Sequence, residues 1–280
     1  MSQQQVPDES LALPTGQTPP NSEATSSPDV RTPLYRAFNE GRYQRQELIK
    51  RIQHRTNQRL ICYVAGSNPQ CMIQPDDTLP FVDLLHNVQE GENLGLLLHT
   101  IGGSVDVAEK LMQLVRSSIG QDAELRVIVP EFAKSAGTVM VLGADYVVMS
   151  DTSELGPIDP QMRFADSRGN LRLHSVQNYL DAYREHYNKI TDDPDNVAAR
   201  IMLGKIDPDT VTFCEAVMAR ARQSAESLLM HGMFRRGGNI TQTVSELLDT
   251  KRWLSHSQMI SWADAQDPRI GLVVEYLQQQ

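Results

Sequence analysis

The stretch "LLLHTIGGSVDVAEKL", residues 96–111, runs from unbroken aliphatics through two glycines into residues at helical spacing. Glycine there leaves a backbone N–H free to approach a reacting carbonyl, and a helix N-terminus just beyond adds a favourable partial charge. Gly102 and Gly103 are therefore candidate oxyanion donors, the alternative being a tight turn packed on a neighbouring strand. A phosphate-binding turn needs further glycines, and neither G-x-G-x-x-G nor G-x-x-x-x-G-K-[ST] occurs. A second stretch, "EFAKSAGTVMVLGADYVVMS", places Ser135 after an apolar run that ends near Val129 and before a small-residue helix. That is the strand-turn-helix setting of a serine nucleophile, with the Ala136 N–H beside the hydroxyl. Serine is also a common helix N-cap, so the local sequence alone leaves both readings open.

The elements needed to position these residues are legible around them. Apolar runs alternate with helical patterns: strands over 60–65, 94–99, 125–129 and 146–149, helices over 78–88, 105–119 and 135–142. This rhythm predicts an α/β fold of repeated β-α-β units about a largely parallel sheet. Beyond Asp159 the strand signal fades, and 176–190, 196–203, 210–230 and 241–248 read as helices, with a short strand expected over 271–276. Residues 1–32, rich in Pro, Ser, Thr and Gln, read as a disordered tail. Residues 33–59 read as an N-terminal helix and 60–280 as the main domain, with a helical extension over about 175–265.

Composition narrows the function. The 280 residues carry a net charge of −9 with no basic stripe outside 42–59, which disfavours nucleic-acid binding. Cys62, Cys71 and Cys214 have neither metal-ligand spacing nor an even count, so buried free thiols and a reducing compartment are expected. No apolar run is long enough to span a bilayer and the N-terminus lacks a signal-peptide pattern, so a cytoplasmic chain without a transmembrane segment is expected. No cofactor and no metal are expected. Asp106 and Glu109, at helical spacing, read as an exposed face rather than a metal pair, and His99 as a satisfied core histidine.

Together, "LLLHTIGGSVDVAEKL" and "AKSAGTVMVLGADYVVMSDTSELGPIDP" closely resemble the core of the ClpP/crotonase superfamily. Within it the resemblance is to the signal peptide peptidase A and serine dehydrogenase proteinase branch. It covers residues 60–165, and more loosely extends to about 275. It implies a ClpP/crotonase-like α/β fold with a helical C-terminal part, acting as an ATP-independent serine endopeptidase on peptides or unfolded proteins. Ser135 takes the nucleophile position, and Gly102 or Gly103 with Ala136 the oxyanion-hole positions. A homo-oligomer is implied as well, since such proteins form rings or stacks.

The resemblance departs at the base. In the Clp protease subunit a histidine follows in an H-Q-P stretch, and here "SELGPIDP" carries Ile158 in its place. The peptidase A branch uses a lysine, which acts as a base only when its pKa is lowered by burial or a cationic neighbour. His174 ranks first for the role, at the position of the lysine of archaeal relatives, and Lys205 second; Lys189 is a further possibility and Lys134 is discounted. His256 falls where serine dehydrogenase proteinases carry a histidine, but Ser255 and Ser257 replace its usual Thr and Asp neighbours. Two rival readings stand beside the peptidase: a catalytically silent scaffold or partner-binding oligomer of the same fold, and crotonase-type acyl-CoA chemistry using the same glycine N–H groups.

Overall fold

The computed structural model describes residues 32–165 and 169–277, so the expected N-terminal tail lies outside the described residues except for Thr32. Two units divide the chain between Glu47 and Leu48. In the first, Thr32 caps α1 (Pro33–Phe38) by accepting the Tyr35 N–H at 3.2 Å, and Pro33 opens the helix where its missing N–H costs nothing. Helix α2 (Glu40–Thr56) begins in this unit and, like α1, contains no buried residue.

The second unit is built on five parallel strands. They are β1 (Arg59–Val64), β2 (Leu94–His99), β3 (Leu125–Ile128), β5 (Tyr146–Met149) and β9 (Val274–Tyr276), paired in the order β1-β2-β3-β5-β9. Parallel sheets are covered on both faces, which is why β2 reads as an unbroken aliphatic run. Leu94, Leu96 and Leu98 on one face are fully buried. Helix α3 (Thr78–Leu85) and helix α4 (Val105–Ile119) form crossovers; α4 buries Val107, Ala108, Leu111, Met112, Val115 and Ile119, a stripe at helical spacing. Each of these side chains larger than alanine contributes about 1.5–3 kcal/mol relative to exposure. Short strands β4 (Phe132–Ala133) and β6 (Glu154–Leu155) pair with each other, and α5 (Ala136–Leu142) is buried along its whole length.

The C-terminal half is helical, with α6 (Val176–Asp192), α7 (Val197–Leu203), α8 (Pro208–His231) and α9 (Ile240–Leu248) on the expected segments and a further short helix, α10 (Trp262–Gln266), that the sequence reading did not include. A pair of strands is a second departure. Strands β7 (Gln161–Ala165) and β8 (Leu171–Ser175) pair antiparallel as a hairpin, in a region where the sequence reading has no strand. The hairpin is largely exposed on β8, but Met162 and Phe164 of β7 pack with Val176, Leu180, Val211 and Cys214 in a second apolar cluster. The three cysteines are free thiols; Cys214 is buried, while Cys62 and Cys71 are only half-buried.

Candidate active site

The turn that carries Ser135 is set by hydrogen bonds from the C-terminal end of β2. Thr100 donates its N–H to Phe132 O (3.1 Å) and accepts the Lys134 N–H (3.0 Å). The next residue, Ser135, has φ 52° and ψ −117°, and the Gly137 N–H closes onto Lys134 O at 2.7 Å. These are the dihedrals of the first central position of a type II′ turn, normally glycine, and a serine there costs on the order of 1–3 kcal/mol. Ser135 occupies the N-cap position of α5, yet its side chain makes no capping hydrogen bond. The capping explanation therefore does not account for this serine. Its hydroxyl is half-buried and unbonded among the described residues, and the Ala136 N–H, the first of the helix, has no acceptor among them either.

The glycine pair faces this turn. Gly102 has φ 101°, and a Cβ added to it would stand 2.7 Å from Lys134 O and 2.8 Å from Ser135 Cβ. Gly103 has φ 148°, and its Cβ would lie 2.4 Å from Ile73 O. Ile73 holds the pair like a strap, donating to Gly102 O (2.8 Å) and accepting the Ser104 N–H (2.9 Å). Because those bonds use the oxygen of Gly102 and the N–H of Ser104, the Gly103 N–H is directed away from Ile73 and has no acceptor among the described residues. The Gly102 N–H donates to Thr100 Oγ1 at 3.1 Å.

A second strap, residues 154–160, lies beside the Ser135 turn. Strand β6 pairs with β4, and Leu155 exchanges two hydrogen bonds with Ile260, at 2.9 and 3.0 Å. Lys134 Nζ reaches Glu154 Oε2 (2.6 Å) and Leu155 O (3.1 Å). The buried Thr138 hydroxyl accepts the Gly156 N–H (3.0 Å) and lies 2.8 Å from both Ala133 O and Gly156 O. Two residues beyond the strap's Pro157, Asp159 is 4 % exposed, and its Oδ1 lies 2.7 Å from His256 Nδ1. A carboxylate only accepts, so Nδ1 carries the proton and Nε2 presents a lone pair. His256 Nε2 has no partner among the described residues.

The structure brings together Ser135, Ala136, Gly102 and Gly103. His174 lies exposed on β8, opposite Met162 and with its ring 6.3 Å from that of Phe164. Lys205 is exposed in the turn between α7 and α8, and Lys189 pairs with Glu185 at 2.5 Å. No hydrogen bond joins Ser135 to any of these or to His256. His99 has an acceptor beside each ring nitrogen, Ala65 O (2.9 Å) at Nδ1 and Glu131 Oε2 (3.0 Å) at Nε2, and its ring packs on Phe132. Asp106 and Glu109 are not a plain solvated face: both bind Arg220, and Glu109 is buried. The pairing that sequence reasoning missed is Asp159 with His256. The signal available for it was a histidine at a family position, followed by the question of which acid could reach it.

Comparison with known proteins decides the family. A model of ClpP-like SDH-type serine proteinases matches residues 37–182, just over half of the chain. The chain belongs to this family. Among curated relatives of the family member, an uncharacterized Methanocaldococcus jannaschii protein, MJ0137, is 33% identical over 87 residues, covering 31% of this chain and 29% of its own. A second from the same organism, MJ1495, is 26% identical over 118 residues, covering 42% and 36%. The chain thus spans about a third of the length of the curated relatives it matches. Among solved structures, a 1510-N membrane-bound stomatin-specific protease mutant in complex with a substrate peptide aligns with TM-score 0.45 at 16% identity, over 77% of this chain and 74% of that one. Another mutant of that protease aligns with TM-score 0.30 at 14% identity, over 79% and 96%. Among the described residues no helix is long and apolar enough to cross a membrane.

Proposed function

We propose that this serine proteinase family member hydrolyses peptide bonds through Ser135, with His256 as general base and Asp159 as the residue that orients it. The observation that carries the reading is the 2.7 Å Asp159–His256 pair, set on the strap whose backbone and side chains bind the Ser135 turn. Ser135 Oγ attacks the substrate carbonyl carbon and gives its proton to His256 Nε2. Asp159 holds the imidazole in the required tautomer and stabilises the imidazolium that forms. The Gly103 and Ala136 N–H groups take the oxyanion, each worth about 3–4 kcal/mol of transition-state stabilisation. Gly102 contributes its N–H if Thr100 releases it. His256 then protonates the leaving amine, and water, deprotonated by the same imidazole, hydrolyses the acyl-enzyme. Ser135 and His256 share no hydrogen bond among the described residues, and on this reading substrate binding completes that contact.

His256 is preferred over His174 and Lys205 as the base because a buried carboxylate orients it and neither of those has such a partner among the described residues. Peptides or unfolded segments as substrates, ATP independence, a homo-oligomeric state and a cytoplasmic location complete the proposal. The test is intact-mass analysis after treatment with a fluorophosphonate. A single adduct on the wild type that is absent from Ser135→Ala and strongly slowed in His256→Ala, with His174→Ala and Lys205→Ala unaffected, supports it. No adduct on folded wild-type protein supports the silent scaffold. Slowing by His174→Ala or Lys205→Ala instead of His256→Ala reassigns the base.

A further inference from the structure

One cavity of the second unit touches both the segment after the glycine pair and the 154–160 strap. A cavity of about 520 Å³ lined by Asn93, Glu124, Asp145 and Tyr146 sits at the N-terminal ends of β2, β3 and β5, away from the Ser135 turn at the other end of the sheet. A cavity of about 300 Å³, in contrast, has Val105 on one side, two residues past Gly103, and Pro160, the neighbour of Asp159. Its opposite wall is a face of α8: Ala216, Val217 and Ala221. The floor is thus apolar, and the cavity has room for a large aliphatic side chain.

The rim is charged. Arg220 Nε binds Asp106 Oδ1 at 2.8 Å and its Nη2 binds Glu109 Oε2 at 2.6 Å. Glu109 also accepts from the Ser224 hydroxyl at 2.5 Å and from Gln113 at 3.1 Å. One guanidinium therefore balances two carboxylates where α8 meets the start of α4. Helix α8 lies beyond the residues matched by the family model.

Resting on the peptidase reading, we propose that this cavity receives the substrate side chain on the acyl side of the scissile bond, and that Arg220 is the residue that sets its charge selectivity. The peptide whose carbonyl lies against the Gly103 and Ala136 N–H groups runs between the glycine turn and the 154–160 strap. These two segments supply Val105 and Pro160, so its side chain has this cavity beside it. With Arg220 in place an apolar side chain is preferred. Without Arg220, Asp106 is left uncompensated at the mouth, with the buried Glu109 behind it deprived of its guanidinium partner, and a lysine ammonium gains a carboxylate.

The test compares kcat/KM for matched fluorogenic peptides carrying Leu, Ala, Lys or Glu at that position, on the full-length chain. The Lys-to-Leu ratio is expected to rise about tenfold in Arg220→Gln and to fall in Asp106→Asn, giving opposite signs for opposite charge changes. Ala216→Phe, which fills the cavity, is expected to lower the Leu-to-Ala ratio. Asp106 is exposed, so Asp106→Asn and Ala216→Phe decide the matter if Arg220→Gln fails to fold. Ratios unchanged in these variants, with Ser135 still labelled by fluorophosphonate, overturn the cavity assignment while leaving the peptidase reading intact. Absence of labelling on the wild type overturns the peptidase reading itself and the cavity assignment with it.

Discussion

Ser135 sits at a backbone position that glycine would occupy without strain, and this gives a stability experiment independent of any substrate. Its φ of 52° and ψ of −117° belong to the first central residue of a type II′ turn, and a non-glycine residue there costs about 1–3 kcal/mol. Ser135→Ala removes the hydroxyl but keeps the Cβ, so the strain stays. Because the hydroxyl makes no hydrogen bond among the described residues, Ser135→Ala should be about as stable as the wild type. Ser135→Gly relieves the strain but loses about 0.5–1 kcal/mol to the greater freedom of an unfolded glycine. The net expectation is that Ser135→Gly exceeds Ser135→Ala by about 1 kcal/mol, or roughly 2–4 °C in Tm for a domain of this size. Urea unfolding of wild type, Ser135→Ala and Ser135→Gly with a common m-value measures the difference. A glycine variant equal to or less stable than the alanine variant refutes the argument that the fold stores strain at the nucleophile. Confirmation places Ser135 among residues retained for reactivity at the expense of stability.

Other outcomes follow from the same geometry. Asp159→Asn should preserve the fold and lower kcat on a peptide substrate by about 10³–10⁴, since the amide can hold the imidazole in the wrong tautomer, whereas His174→Ala and Lys205→Ala should leave kcat unchanged. Gly137→Ala puts a Cβ 2.6 Å from Thr100 Cγ2, and overpacking of this kind costs about 1–3 kcal/mol. Because Thr100→Ser removes that methyl, a double-mutant cycle by urea unfolding should recover most of the loss. Gly103→Ala meets Ile73 backbone atoms as close as 2.4 Å and at a φ of 148°, so loss of fluorophosphonate labelling with a lowered Tm is expected. Asp267 has its carboxyl pKa held well below the ordinary range by hydrogen bonds from Arg269 and by the charge of Arg252. A depressed folded pKa stabilises above the unfolded value of 3.8. The Tm gap between wild type and Asp267→Asn should therefore be full at neutral pH and close as pH falls through the acid range.

What the sequence disclosed and what it hid follow the range of the interactions. The glycine pair, Ser135 and the strand ends around them are local features, and α4 spans 105–119 as the hydrophobic spacing predicts. The last strand also returns to the sheet, although only Val274–Tyr276 of the expected 271–276 is extended and paired with β5. The hairpin over 161–175 was hidden by exposure. Its second strand has almost no buried residue to impose a periodic pattern, although the glycine at 169, with φ 81°, marks its turn. The same hairpin carries His174 into solvent, so a residue favoured by its place in the chain has no carboxylate to orient it.

The proposed base illustrates why a departure from a motif need not mean a missing function. Ile158 occupies the histidine position of the Clp-type stretch and is buried, with its N–H bonded to Leu247 O. The next side chain along the strap is Asp159, and it finds a histidine 97 residues further on. No spacing rule connects those two positions. They meet because Ile260, four residues after His256, forms an antiparallel bridge with Leu155, four residues before Asp159. That bridge fixes the late loop against the strap, and Lys134 fastens the strap to the nucleophile turn through Glu154 and Leu155. Lys134 is thereby committed to positioning: its ammonium is held by a carboxylate and a carbonyl, and it adjoins Ser135 in sequence without a hydrogen bond to it. On the proposed reading, the chain order is nucleophile, acid, base, with the acid on the motif that lacks the histidine and the base on the loop bridged to it.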